Sequence, residues 1–102
     1  MENRLKKQLR QIAHHLDAIV SVGDQGVSDA LVKETHRALT DHELIKVRLH
    51  TPSREERTEH IKALANACSA EIVQKIGKIV VIYRANPEAD PRLSNLHRAG
   101  SR

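Results

Sequence analysis

The 102-residue sequence has no tryptophan, no phenylalanine and a single tyrosine, Tyr83. Base stacking on strand-borne aromatic rings, as RNA-recognition motifs and OB-folds use, is therefore excluded beyond that one ring. A single cysteine, Cys68, rules out an internal disulfide, and a reducing, cytoplasmic setting is expected. No apolar run approaches the ~18 residues of a membrane-spanning helix. No signal-peptide core follows Met1-Glu2-Asn3-Arg4, so no membrane association is expected. Seven histidines invite a metal reading, but His14 and His15 are adjacent and diverge around a helix. No HExxH or Cys/His pair spacing exists, so neither a metal nor any other cofactor is expected.

What is present suits one domain. Apolar residues make up 39% of the chain and charged residues 29%, with 17 Lys+Arg against 13 Asp+Glu. The net charge of +4 and a pI near 9.6 favour an acidic partner, nucleic acid being the common one.

Leu5, Leu9, Ile12 and Leu16 recur at helical spacing, with Lys6, Lys7, Arg10 and His14 off that stripe. Ala18 to Val22 reads as a short strand ended by Gly23. Ser28 then caps a helix running to about Asp41, with Val27 and Val32 as its hydrophobic staple. Leu44 to His50 alternates, Ile45, Val47 and Leu49 opposing Lys46, Arg48 and His50. A Ser53…Glu56 capping box opens a third helix, whose apolar stripe holds Ile61, Leu64, Ala65 and Cys68. Cys68 on that stripe reads as a small core residue. Glu71–Ile76 and Lys78–Arg84 form two strands joined at Gly77. Residues 85–102 are polar and Pro-bearing and read as a disordered tail. The fold class is α/β in the order α-β-α-β-α-β-β, a mixed four-stranded sheet packed with helices. Strand–helix–strand links imply parallel neighbours, and the last two strands an antiparallel hairpin.

Gly23-Asp24-Gln25-Gly26 lies between the first strand and the second helix. Such a loop can bring its backbone close to a phosphate at a helix N-terminus, or it can be an ordinary βα turn. It is neither a Walker loop nor a dinucleotide fingerprint, since Val27-Ser28 and Asp29 stand where those need other residues. The basic candidates are Lys6, Lys7 and Arg10, then Lys46 and Arg48, then Lys75, Lys78 and Arg84, read either as phosphate ligands or as a solvated surface. His42-Glu43 could suggest acid–base work, but a helix-end histidine before a strand-entry glutamate is the commoner meaning. No catalytic constellation is present, and the chain is not expected to be an enzyme.

Three segments together resemble a known family. Ile19 to Ser28 looks like its strand-plus-GxxG segment, His42-Glu43-Leu44-Ile45-Lys46-Val47-Arg48 is close to its most recognisable run, and Val73 to Arg84 resembles its closing hairpin with a terminal Tyr-Arg pair. The family is the CRM domain (chloroplast RNA splicing and ribosome maturation), whose standalone bacterial form is YhbY-like. The resemblance covers about residues 2–84, and residues 1–84 are expected to form the RNA-binding domain. It implies a fold like the C-terminal domain of translation initiation factor three. It further implies RNA binding involving Gly23, Asp24, Gln25 and Gly26, with Lys46, Arg48 and Arg84 on matching basic positions. Association with large-subunit ribosomal RNA or its precursor particle follows from the same source. A monomeric state is expected. Members often carry a basic or small polar residue where Asp24 stands. A protein–protein adaptor and a small nucleotide-binding protein using the GxxG loop remain the alternatives.

Overall fold

The computed structural model describes residues 1–98. Its elements are α1 (Asn3–Ala13), β1 (Ala18–Val22), α2 (Asp29–His42), β2 (Leu44–Leu49), α3 (Arg54–Ala67), β3 (Glu71–Ile76), β4 (Ile79–Tyr83) and a single turn of helix, α4 (Asn95–Arg98). Both expected N-caps form: Ser28 Oγ accepts the Leu31 N–H at 3.1 Å and Ser53 Oγ the Glu56 N–H at 3.3 Å.

The sheet order is β1-β2-β4-β3. β1 and β2 are parallel neighbours across α2, as expected. β3 is not a neighbour of β2, because β4 turns back at Gly77 and inserts between them, antiparallel to both. Composition accounts for the order. Strand β4 reads Ile-Val-Val-Ile-Tyr and is buried on both faces, which suits a central strand. β3 carries Glu71, Gln74 and Lys75 and a bulge between Ile72 and Gln74, features that suit an edge.

Helices cover both faces, giving two cores. On one face Val20, Val22, Ile45, Val47, Val80 and Ile82 pack under α2 and α3. Cys68 is fully buried there, as the apolar stripe of α3 requires. On the other face Leu44, Val73 and Val81 meet Leu9 and Ala13 of α1. Helix α1 thus spends its Leu5–Leu9–Ile12 stripe on the sheet and leaves its basic side outward.

The segment after Arg84 corrects the expectation of a disordered tail over its described part. Asn86 N–H donates to Glu43 Oε1 at 2.7 Å, Ser94 Oγ donates to Glu43 Oε2 at 2.6 Å, and Asn95 Nδ2 donates to the Leu44 carbonyl at 2.6 Å. Leu96 joins the α1-side core. A buried carboxylate at the end of α2 needs donors, and the polar tail supplies them. Residues 99–102 of the expected tail lie outside the described residues.

Candidate nucleic-acid interface

Helix α1 shields only part of its sheet face. Beyond it the Ile76–Ile79 end of the hairpin stays open, forming a groove of about 530 Å³. Its α1 wall holds Lys7, Arg10, Gln11 and His14. The strands supply Lys46 and Gln74, over a floor of Ile76, Ile79 and Val81. The register explains the assembly: Lys46 pairs with Val81, which pairs with Gln74, and Arg48 pairs with Ile79, which pairs with Ile76. Residues 46 and 48 point the same way by strand alternation, so Arg48, exposed, continues the basic strip beyond Lys46. Among the described residues the ion pairs are Arg92–Asp90 and the N-terminal amine with Glu71, so none of these cations is held by a carboxylate.

The remaining basic candidates separate. Lys78 sits in the exposed hairpin turn, its carbonyl accepting the Leu49 N–H at 2.7 Å. Lys75 faces the opposite side of the sheet, lining a cleft with Arg54 and Arg57 of α3. Arg57 Nη1 is anchored there on the Thr51 and Pro52 carbonyls at 3.0 and 2.7 Å. Lys6 is half-buried on α1 and lies outside the groove.

Arg84 is a different kind of residue from the phosphate ligand expected of it. Nη1 donates to His36 Nδ1 at 2.7 Å and to the Cys68 carbonyl at 2.8 Å, and Nη2 to the His36 carbonyl and Thr40 Oγ1, both at 2.9 Å. Its guanidinium ties α2 and the end of α3 to β4. His42 and Glu43 are likewise structural: Glu43 ends α2 with φ 63° and its buried carboxylate holds the tail, while His42 Nδ1 donates to the Leu93 carbonyl at 2.7 Å.

The Gly23–Gly26 loop is a tight turn closed by Gly26 N–H to the Gly23 carbonyl at 3.0 Å. The Gly26 amide is therefore spent inside the turn. Gly26 has φ +76°, and a Cβ there would stand 2.8 Å from His60 Nε2. His60 in turn hydrogen-bonds Thr51 Oγ1 through Nδ1 at 3.1 Å, so the loop has a rigid floor on α3. Asp24 and Glu34 line the hollow beside the loop, and Asp29 opens α2. Negative side chains thus surround the place where a phosphate was expected, which weakens both the loop as the principal anion seat and the nucleotide-site alternative. The loop still adjoins the basic strip, since Ser21 pairs with Arg48 two residues before Gly23.

The profile of the CRS1/YhbY (CRM) domain matches residues 1–84. The chain belongs to that family. A probable RNA-binding protein of Pseudomonas aeruginosa is 40% identical over 93 residues, spanning 91% of this chain and 89% of the relative. An RNA-binding protein of Haemophilus influenzae is 37% identical over 93 residues, spanning 91% and 94%. The solution structure of a hypothetical Staphylococcus aureus protein superposes with a TM-score of 0.77 at 32% identity, covering 88% of this chain and 94% of that one. Within the CRM domain, Gln11, Gln74, Ile76 and Ile79 join the groove although no motif marks them. Ile76 and Ile79 show only as apolar residues flanking Gly77-Lys78, a pattern any hairpin shares. Arg54 and Arg57 carry no sequence signal of their own, since they read as the polar start of a helix.

Proposed function

We propose that this chain is an RNA-binding protein that acts without catalysis as an assembly factor for the large ribosomal subunit, working as a cytoplasmic monomer. The convergence of Lys7, Arg10 and Lys46 on one groove, free of carboxylate partners, carries the RNA-binding reading. Phosphates bound by these cations would position the protein, with the GxxG turn flanking the strip through Arg48. The names of its relatives support RNA as the partner; the large-subunit assignment rests on the family resemblance. Crosslinking in cells followed by sequencing of bound RNA tests both. Reads concentrated on large-subunit ribosomal RNA, with the protein migrating among free large-subunit particles in a sucrose gradient, are the expected result. Recovery chiefly in polysomes, or reads scattered over messenger RNA, would overturn the assembly role.

A further inference from the structure

The groove holds more than a phosphate surface needs. Ile76 is 60% exposed, the most exposed of the large apolar side chains among the described residues, and it sits beside its cross-strand partner Ile79. Solvent-facing aliphatics inside a basic strip gain nothing from phosphate, which seeks charge and N–H donors. Gln11 and Gln74 face the same space from opposite walls, one on α1 and one on β3. Neither amide side chain has a hydrogen-bond partner among the described residues, and each offers both donors and an acceptor.

An apolar floor, two unpartnered side-chain amides and a surround of cations suit a nucleobase with its backbone attached. We propose that the groove receives a single unpaired nucleotide of RNA, its base lying on Ile76 and Ile79, its edge read by Gln11 and Gln74, and its flanking phosphates held by Lys7, Arg10 and Lys46. The inference rests on the RNA-binding reading above and narrows it. A continuous A-form duplex cannot fill this space, because its bases stay paired and stacked within the helix. A bulged or looped-out nucleotide can enter. The volume, about 530 Å³, lies within the roughly 300–1,000 Å³ usual for small-ligand sites. Aliphatic side chains here take the place that aromatic rings hold in base-stacking folds, which fits a chain with one tyrosine.

The test compares five RNA hairpins of one stem sequence, one fully paired and four carrying a single bulged A, C, G or U. Affinities are measured at one salt concentration for the parent, Gln11→Ala with Gln74→Ala, and Ile76→Ser, each checked for folding by thermal melting. The parent should bind at least one bulged hairpin about tenfold tighter than the paired one. Both variants should reduce that preference to about threefold or less while binding the paired hairpin as the parent does. Equal parent affinity for all five RNAs, or a preference that survives in folded variants, overturns the inference and leaves RNA binding standing. Binding to none of the five at low salt overturns the RNA-binding reading beneath it.

Discussion

At the scale of single residues, the two loop glycines do different things. Gly26 is demanded by the fold: its φ of +76° and the His60 ring 2.8 Å from any Cβ penalise every substitution. Gly26→Ala should cost about 1–3 kcal/mol in urea unfolding. Gly23 has no positive φ, and a Cβ there would find nothing within 4 Å. Gly23→Ala should leave stability within about 0.5 kcal/mol of the parent; a loss of affinity in that variant would locate the loop at the RNA. Cys68 and Tyr83 make a pH prediction. Burial raises the thiol of Cys68 against the opposing Arg84 charge. Burial, then the Glu43 and Glu71 charges, raises the phenol of Tyr83. Both groups are neutral when protonated, so their stabilisation is complete below the unfolded values, about 8.5 and about 10, and fades as pH climbs through the higher folded ones. The urea midpoint should therefore fall above about pH 9. At pH 8 the Cys68 thiol should resist a thiol reagent until the protein is unfolded. Rapid labelling of folded protein would contradict its burial.

At the scale of elements, the C-terminal segment is the clearest gain from the structure. It docks through the Glu43 carboxylate, the Leu44 carbonyl and His42, with one apolar contact from Leu96. Ordering a dozen residues offsets most of those bonds, so removal of residues 85–102 should cost only about 1–2 kcal/mol. The midpoint of unfolding reports this, and an unchanged midpoint would mean the docking contributes nothing net. Why was this segment hidden in the sequence? Its apolar content is low, and the anchor, Glu43, lies in the family's recognisable run, where it reads as a strand entry. A buried carboxylate announces itself only once its burial is known. The helices and strands were legible because their signals are local: Ser28 and Ser53 are caps, and Ile45, Val47 and Leu49 alternate. The insertion of β4 between β2 and β3 was less so, since strand order depends on which strand is apolar on both faces. Arg84 misled for a related reason. A terminal arginine looks free in sequence, whereas here hydrogen bonds take four of the five N–H donors of its guanidinium.

At the scale of the whole molecule, the modest net charge of +4 conceals a local asymmetry. Lys7, Arg10 and Lys46 share the α1 groove, while Lys75, Arg54 and Arg57 share a cleft on the other side of the hairpin. Salt dependence distinguishes them, because each neutralised phosphate contributes about −0.7 (single strand) to −0.9 (B-form duplex, applied here to RNA) to the slope of log affinity against log salt. Lys7→Ala, Arg10→Ala and Lys46→Ala combined should make that slope shallower by about two to three units. Arg54→Ala with Lys75→Ala should leave it unchanged if RNA stays on the α1 face. Both are exposed and neither holds another element in place, so the variant keeps its fold. An equal loss from both sets would mean that RNA passes around the hairpin tip, where Lys78 bridges the two faces. A slope unchanged by the groove variant would remove Lys7, Arg10 and Lys46 from the interface, and with them the single-nucleotide site, whose flanking phosphates those three cations are proposed to hold.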